Sequence, residues 1–506
     1  MSKLCILITI LVYMAMMVVI GAVFSKKNSG VGDFYLGGRK LGPLVSAMSA
    51  EASDMSSWLL MGLPGVAYLC GAAEATWTAI GLAVGTYLNW LFVAKRLRVY
   101  SQKCNNSITI PDFFSNRFRD DSHLIMGTAA VIILIFFVPY TASGFSACGK
   151  LFNLLFDWDY HMAMIISAVI IIAYTSLGGF LAASFTDLIQ SIVMTTALAI
   201  LVIFGVHTAG GFDAVMENAR GIKDYLALTM TTDGNGNSVS YGFITIVSTL
   251  AWGLGYFGMP HILLRFMAID DKNKIKLSRR IASVWVVIAM GVAIFVGFIG
   301  NALTANGTIP ALDDSEKVVL QTATKLSEHS VIAALVAGLI FAGVLACTMS
   351  TSDSQLLAAS SSMSENIIKG VFKRELDNKK SMLSARAVLL VIAVLGVLLA
   401  WNENSSVFRV VSFAWAGFGA TFGPVMLTAL FWKRTNKWGA LSGLVVGGVM
   451  IFVWKFLVRP LGGAWDIYEL LPAFICALIA IVAVSLATAP PSKEITDEFE
   501  AVKAEL

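Results

Sequence analysis

The sequence is dominated by apolar runs about 20 residues long, the length that an α-helix needs to cross the hydrocarbon core of a membrane. Lipid offers no hydrogen-bond partners to a backbone, so a run of this length indicates a helix that satisfies its own backbone groups. The pattern predicts an all-α integral membrane protein with about 13 transmembrane helices. The predicted spans are 4–24, 41–69, 72–94, 124–149, 162–180, 186–209, 241–263, 281–303, 331–352, 383–401, 407–431, 438–458 and 468–488.

Charged residues are too few for a water-soluble fold. They make up 13% of the 506 residues, against roughly 25% in a soluble domain. The net charge of +4 is spread over short loops and gives no basis for nucleic-acid binding. Cysteine spacing suggests neither a disulfide framework nor a zinc site, and no phosphate-binding Gly-x-x-x-x-Gly-Lys-Ser/Thr motif indicates an ATP-driven pump. No obligate protein partner is evident, which leaves the lipid bilayer and small solutes as partners.

Positive charges concentrate on one side of the predicted membrane. Loops and flanking turns on the side of the C-terminal tail hold most of the 36 lysines and arginines, including Arg39, Arg98, Arg119 and Arg265. The positive-inside rule then places the tail in the cytoplasm and the N-terminus outside, in a multi-pass protein of the cell membrane. The tail is rich in glutamate and lysine, and we expect it to be a solvated extension.

Two predicted spans contain residues that interrupt a helix. The second has a polar stretch with Glu51 and Asp54 at mid-depth, followed by Gly62-Leu-Pro-Gly65, and the seventh has three glycines and a proline within 252–260. Backbone unwinds at membrane depth only where it lines a cavity or is buried in protein. Two interrupted helices five spans apart indicate an inverted-repeat transporter with its site at the repeat interface. The alternative is a pair of kinked packing helices with small residues at close contacts.

The interrupted spans set the predicted organisation of the chain. Each begins a repeat of five helices, while the first span and the last two are peripheral additions. The predicted segments are 1–40 for the first helix and its loop, 41–209 for the first repeat, 210–240 for an outer loop, 241–431 for the second repeat, 432–488 for two peripheral helices and 489–506 for the cytoplasmic tail.

Hydroxyl side chains are grouped near the inner end of the ninth span, in Cys347-Thr-Met-Ser-Thr-Ser-Asp353. Ser350 and Thr351 follow Cys347 by three and four residues, so one helix face presents two hydroxyls and a carbonyl. Neutral oxygens of this kind can hold a monovalent cation such as sodium and still release it. Alternatively, the hydroxyls only join neighbouring helices.

Several segments match one known family in the same order along the chain. They include Tyr35-Leu-Gly-Gly-Arg-Lys-Leu-Gly-Pro43, Ala52-Ser-Asp-Met-Ser56, Trp58-Leu-Leu-Met-Gly-Leu-Pro-Gly65, Tyr174-Thr-Ser-Leu-Gly-Gly-Phe180, Trp252-Gly-Leu-Gly-Tyr-Phe-Gly258, Pro260-His261 and Ala414-Trp-Ala-Gly-Phe-Gly-Ala420. In these segments the sequence resembles the sodium/solute symporters, and most closely their bacterial proline-carrying members. The resemblance implies a leucine-transporter-like 5+5 inverted repeat, alternating access, sodium as the co-transported ion and no enzymatic activity. It also implies a sodium site built from the carbonyls of Ala52, Met55 and Cys347 and the hydroxyls of Ser350 and Thr351.

Three charged residues carry over from the family to sodium coupling or gating. Asp54 matches an essential carboxylate, which we expect to tune the field around the ion, and an ionisable group at mid-membrane is functional by default. Asp187 matches a position linked to cation binding or inner gating, and Arg39 matches a basic position important on the cytoplasmic side. Helix capping by Asp54 and Asp187, and the positive-inside rule for Arg39, are the alternative explanations.

The resemblance also assigns a set of substrate contacts. Half-helix amides suit a carboxylate and aromatic faces suit an ammonium and an aliphatic ring, so the expected substrate is a small zwitterion. L-Proline is the expected amino acid. Ser57 stands where the proline carriers have glycine, and its hydroxymethyl group could narrow the pocket or bind another solute. The predicted contacts are Ser56, Ser57, Trp58, Tyr140, Trp252, Tyr256 and Pro260.

Other functions fit the sequence less well than sodium-coupled uptake of a small amino acid. Sodium symport of another small organic solute is the main alternative. A channel would conduct ions far above carrier turnover without accumulating solute. A sensor derived from such a transporter would need a fused signalling domain, and the tail after 488 is too short for one.

Overall fold

The computed structural model describes residues 2–26, 30–232, 237–373, 377–402 and 406–506, and most of this part is helical. In the N-terminal half the helices are α1 (Ser2–Ser25), α2 (Val31–Leu36), α3 (Pro43–Ser57), α4 (Leu63–Cys70), α5 (Ala72–Leu88), α6 (Ala94–Lys103), α7 (Ile110–Arg117), α8 (Leu124–Phe156), α9 (Tyr160–Thr208) and α10 (Phe212–Gly221). They continue with α11 (Phe243–Leu250), α12 (Pro260–Ala268), α13 (Ile275–Ala305), α14 (Val318–Ser327), α15 (Val331–Ser361), α16 (Asn378–Leu399), α17 (Val407–Phe431), α18 (Lys437–Val453), α19 (Leu470–Ala487) and α20 (Lys493–Ala504).

Shorter elements connect these helices. Strands β1 (Met230–Thr232) and β2 (Ser238–Ser240) pair antiparallel between α10 and α11, with Thr231 opposite Val239. The predicted outer loop 210–240 therefore contains a helix and a hairpin, and its positions 233–236 lie outside the described residues. Turns of π-helix occur at Trp58–Gly62, Asn89–Val93, Ser362–Val371 and Trp454–Val458, and 3-10 turns at Gly37–Arg39, Ala251–Phe257, Lys272–Lys274, Ser315–Lys317, Arg459–Leu461 and Gly463–Trp465.

The number of membrane spans depends on how the broken helices are counted. Length and apolar composition select 10 helices in the described part of the chain, or 11 if the bent pair 243–257 and 260–268 is one span. The second predicted span, formed by α3, a π-turn and α4, is not in this count. Helix α9 covers the fifth and sixth predicted spans in one run of 49 residues. The all-α membrane fold is confirmed, while the total of thirteen stays a prediction.

Gly179 interrupts α9 between the two predicted spans. Its φ of 61° and ψ of −160° are non-helical, and a Cβ on this residue would lie 2.7 Å from the ring of Phe34 and 2.9 Å from its carbonyl oxygen. Glycine is required here both for the left-handed φ and for the close approach. A straight helix of this length would extend for about 74 Å, more than twice the roughly 30 Å hydrocarbon core, so the break allows the chain to turn.

Both predicted interruptions are present in the backbone. In the second span, Ser56 has φ 46° and ψ −171°, after which the chain makes a π-turn and enters α4. In the seventh span, 3-10 turns over Ala251–Phe257 lead to extended backbone at Met259, and Pro260 begins α12. Proline is favourable at this first helical position because its missing N–H would have no partner there.

Helix α15 forms the centre of the molecule. It packs against α9, α1, α3 and α8, and its side chains are buried without interruption from Ile340 to Ser361. Helices α16 and α19 instead expose large apolar side chains, such as Leu398 and Ile479, as expected for surfaces that face lipid. The contact between α15 and the interrupted α3 brings the two sequence features that suggested a cation site together.

The C-terminal tail differs from the prediction of a solvated extension. Residues Lys493–Ala504 form α20, which packs against α6. Ile495, Phe499 and Val502 are buried by this contact. Their spacing of four and three residues places them on one helix face, so the tail is an amphipathic helix docked on the membrane domain.

Candidate transport site

The break in α3 lies in the middle of the candidate site. The positive φ of Ser56 is unusual for a residue other than glycine and marks a local strain in the backbone. The Ser56 hydroxyl accepts a hydrogen bond from the Trp58 amide at 3.1 Å, which stabilises the unwound turn. The regular helical hydrogen-bond pattern is thus interrupted at this point of α3.

Four of the five predicted sodium ligands meet between α3 and α15. The Ser350 hydroxyl lies 2.8 Å from the Ala52 carbonyl oxygen and 3.1 Å from that of Cys347. The Thr351 hydroxyl donates to the Cys347 carbonyl at 3.1 Å. Met55, the fifth residue, is buried on the same turn of α3, where its carbonyl accepts the Trp58 amide. The structure therefore collects neutral oxygens from both helices in one buried place.

The chemistry of this cluster suits a monovalent cation that must be released again. Hydroxyl and carbonyl oxygens supply dipoles without fixed charge, so a cation replaces hydrogen bonds that the cluster otherwise makes internally. In the described part of the chain, no group of three or more His, Cys, Asp or Glu side chains is arranged to hold a metal ion. A divalent metal centre of that type is therefore not among the described residues.

An aromatic chamber lies next to the cation cluster. Its volume of about 10 Å³ is close to what one water molecule needs, so the walls must separate to admit a solute. The structure brings the predicted residues Trp58, Tyr140 and Trp252 together here with Asp54 and Met55. Leu82, Val411 and Trp415 complete the lining and were missed by sequence reasoning.

Asp54 connects the chamber to the seventh span. Its carboxylate accepts a hydrogen bond from the Tyr256 hydroxyl, and its backbone carbonyl is 3.4 Å from the Tyr140 hydroxyl. Trp415 donates its indole N–H to the Trp252 carbonyl at 2.7 Å, which satisfies an oxygen of the unwound 3-10 segment. The two interrupted spans are thus joined through one carboxylate.

The remaining predicted substrate contacts lie around the chamber and not in its lining. Tyr256 is one hydrogen bond away through Asp54, and Pro260 is buried at the start of α12. The Ser57 hydroxyl is buried and, among the described residues, makes no hydrogen bond. This hydroxyl therefore leaves a donor and an acceptor for a ligand or a water.

A roof of three aromatic rings separates the chamber from a large vestibule. The ring centroids of Trp58 and Trp252 are 5.9 Å apart, and Phe408 lies 6.3 Å from Trp58 and 5.5 Å from Trp252. The vestibule beyond has a volume of about 1210 Å³ and includes Phe408 and Glu316 in its walls. The Glu316 carboxylate accepts from the Phe408 amide at 3.1 Å, which holds the roof residue at the start of α17.

A buried ion pair lies on the other side of the site from the vestibule. Asp187 accepts from Arg265 at 3.1 Å and from the Ser49 hydroxyl at 2.6 Å. Arg265 also donates to Ser354 at 2.5 Å and to the His261 carbonyl at 2.9 Å. Only 1% of Arg265 is exposed, so its assignment to the positive loop residues was wrong. The apolar residues beside Arg265 on α12 did not indicate that it pairs with Asp187 on α9.

Arg39 lies beyond this ion pair, near the ends of α6 and α12. Its guanidinium donates to the Met267 carbonyl at 2.6 Å, to the Ser107 carbonyl at 2.8 Å and to the Ser101 hydroxyl at 3.0 Å. These acceptors belong to three different segments, so Arg39 joins the ends of α6 and α12 to the loop before α7. The positive-inside rule alone would not have required such contacts.

Comparison with known proteins gives a consistent set of relatives. A model of the sodium:solute symporter family matches residues 34–447. The high-affinity proline transporter PutP of Bacillus subtilis is 41% identical over 96% of this chain and 98% of its own length. A sodium/proline symporter of Haemophilus influenzae is 42% identical over 98% of this chain and 97% of its own. Among solved structures, a substrate-bound, outward-open sodium-coupled sialic acid symporter superposes with a TM-score of 0.80 at 18% identity, covering 97% of this chain and 99% of that one.

Proposed function

The chain belongs to the sodium:solute symporter family, and on this premise we propose that it takes up L-proline by alternating access, driven by sodium entry. It is a multi-pass membrane transporter and not an enzyme. The observation that carries the proposal is that one unwound segment, 52–58, contributes both to the hydroxyl and carbonyl cluster and to the aromatic chamber. Binding of an ion and binding of a solute therefore act on the same break in α3.

Sodium is the co-transported ion, and we assign it to the cluster between α3 and α15. The ligands are the carbonyl oxygens of Ala52, Met55 and Cys347 and the hydroxyls of Ser350 and Thr351. The 2.8 Å contact between Ser350 and Ala52 supports this assignment, because an ion at this point would join the two helices. Binding would thus favour the arrangement in which the unwound segment is held against α15.

The chamber suits a zwitterion with a small aliphatic ring. Aromatic walls can pack against a pyrrolidine ring and attract its ammonium through their faces, while amides of the unwound segments can donate to its carboxylate. Among the described residues, no lysine or arginine lines the chamber, which disfavours a strongly anionic solute. In this proposal, four further residues set the shape of the two interrupted segments that line the chamber: Ser56, Ser57, Tyr256 and Pro260.

Asp54 couples the two binding events. It belongs to the chamber lining, and its carboxylate holds Tyr256 of the other interrupted span. A cation at Ala52 and Met55 adds positive charge beside this carboxylate, so the charge of Asp54 favours sodium while its hydrogen bond keeps the seventh span in place. We assign it as a neighbour of the ion and not as a direct ligand.

Alternating access requires that each side of the chamber close in turn. We propose that Trp58, Trp252 and Phe408 close the outer side, and that the Asp187–Arg265 pair together with Arg39 closes the inner side. The vestibule then faces outward and the C-terminal tail lies in the cytoplasm, with the N-terminus outside, as the charge distribution predicts.

Reconstituted vesicles test this function. For one sodium per neutral solute, about 2.3 kcal/mol per 100 mV and about 1.4 kcal/mol for a tenfold sodium gradient together support roughly 500-fold accumulation. We expect radiolabelled proline to accumulate under an inward sodium gradient and an inside-negative potential, and not when choline or potassium replaces sodium. Accumulation that survives this replacement would contradict the proposal.

A different small solute is the second candidate, and Ser57 is the reason to consider it. Its unpaired buried hydroxyl could recognise a polar group that proline lacks. Competition of unlabelled small amino acids against proline in the same vesicles distinguishes the two. A solute that is accumulated with sodium while proline is not would transfer the proposal to that solute.

A further inference from the structure

Helix α20 covers a defined part of the inner surface. Phe499 lies with its ring 6.4 Å from that of Tyr100, and the guanidinium of Arg117 lies 5.5 Å from the Phe499 ring centroid. Cys104 is fully buried beneath the same helix and donates its thiol to Glu498 at 2.8 Å. This contact is an apolar interface with a cation stacked on it, and it is more extensive than a chance approach of a charged tail.

Ion pairs surround the apolar contact. Glu505 pairs with Lys103 at 2.9 Å and with Lys272 at 3.0 Å. Arg119 pairs with Glu498 at 2.6 Å and with Glu494 at 3.2 Å. Glu500 pairs with Lys433 at 3.3 Å, and the Lys95 ammonium donates a hydrogen bond to the Leu506 carbonyl. The negative charges of α20 thus face the positive inner surface along the length of the helix.

The two ends of α20 hold different parts of the membrane domain. Lys103 ends α6, and Arg98 of α6 donates to the Ile269 carbonyl at 2.6 Å, so this part is joined to the interrupted seventh span. Lys272 follows directly after that span. Arg119 follows α7, which packs against α8, and Lys433 lies between α17 and α18. Helix α20 therefore bridges the segments attached to the interrupted helices and the segments attached to α8 and α17.

We propose that α20 is an autoinhibitory latch that stabilises the closed inner side and is weakened by ionic strength in the cytoplasm. The inference rests on the alternating access proposed above, with the added premise that the parts that α20 bridges move relative to each other when the inner side opens. Exposed ion pairs are screened by salt, so higher ionic strength loosens the latch. A loosened latch shifts the population toward the inward-open state and speeds the opening of the inner side.

Cys104 reports latch opening without reference to transport. In inside-out vesicles, a membrane-impermeant maleimide should label Cys104 slowly in the wild type, as read by mass spectrometry of its peptide. In E494Q/E505Q the labelling rate should rise about twofold to tenfold, the range given by the loss of three exposed ion pairs. Glu498 is left in place because it accepts directly from the Cys104 thiol. Asp497→Asn is the matched control, because Asp497 is exposed on the same helix and forms no ion pair among the described residues. It should label at the wild-type rate.

Uptake measured at two luminal salt concentrations completes the test. Potassium chloride at the cytoplasmic face is raised from about 0.05 to 0.5 M, in the medium of inside-out vesicles for labelling and in the lumen of right-side-out vesicles for uptake. This should increase Cys104 labelling and the maximal uptake rate of the wild type, but change neither in E494Q/E505Q beyond its already raised level. Equal labelling of this variant, the wild type and D497N would overturn the docking. Raised labelling with an unchanged uptake rate would overturn the latch. The labelling reading remains interpretable if the solute is not proline, because labelling needs no solute.

Discussion

Removal of the Ser350 hydroxyl is the sharpest perturbation of the proposed sodium site. This oxygen lies between the carbonyls of Ala52 and Cys347, at 2.8 and 3.1 Å. Ser350→Ala therefore removes one proposed ligand and the hydrogen bond that joins α15 to the Ala52 carbonyl of α3. A hydrogen bond to a charged group contributes about 1.5–3 kcal/mol, and each 1.4 kcal/mol is about tenfold in affinity. We expect the sodium concentration for half-maximal uptake to rise about 10-fold to 150-fold.

Sodium activation of proline uptake in proteoliposomes measures this change. Ser361→Ala is the control, because Ser361 is also buried on α15 and its hydroxyl donates within the helix to the Ala358 carbonyl at 2.8 Å. The control should keep the wild-type sodium dependence within about twofold, as expected for a hydroxyl that contributes about 1 kcal/mol or less. At saturating sodium, S350A should show the wild-type dependence of uptake rate on proline concentration. An unchanged sodium dependence in S350A would refute the proposed ligand set.

Three further substitutions test other parts of the site. Ser57→Gly should change the apparent affinity for proline by no more than about tenfold, the scale of one hydrogen bond. If the wild type carries little proline and S57G carries it well, Ser57 selects another solute. Glu316→Ala removes the acceptor of the Phe408 amide and should weaken apparent proline affinity about twofold to thirtyfold, the range for loss of a helix cap. If this variant binds proline with wild-type affinity in equilibrium binding, Glu316 does not hold Phe408 in the roof. The Trp90 indole N–H donates to Glu51 at 3.1 Å, so Glu51→Ala removes its partner and should lower the free energy of unfolding by about 1–3 kcal/mol. In a thermal unfolding assay Glu51→Gln should recover most of this loss, and equal destabilisation by both variants would contradict the hydrogen-bond explanation.

Local features of the site could be predicted from the sequence because they depend on local chemistry. The glycines and Pro260 disfavour a continuous helix wherever the chain folds, so the interruption of the seventh span follows from residue type. The spacing of Cys347, Ser350 and Thr351 fixes their common helix face in the same way. The leucine-transporter-like fold expected from the resemblance is confirmed by the match to solved transporters.

Features that depend on distant contacts could not be predicted. Arg265 follows an apolar stretch near a loop, and its burial depends on Asp187, 78 positions earlier in the chain. Val411 and Trp415 enter the chamber lining only through the packing of α17 against the seventh span. The C-terminal tail was expected to be a solvated extension, and the docking of Phe499 could not be predicted because the basic surface that it covers comes from four separate segments.

The reciprocal flux tests sodium-coupled proline transport most directly. In proteoliposomes with equal sodium on both sides and no membrane potential, an inward proline gradient should drive radiolabelled sodium into the lumen above its external concentration, because a coupled carrier must move both substrates together. S350A should lose this sodium accumulation at low sodium and recover it at high sodium. Sodium entry that is unaffected by the proline gradient, or that proceeds equally fast without proline, would contradict the coupled mechanism.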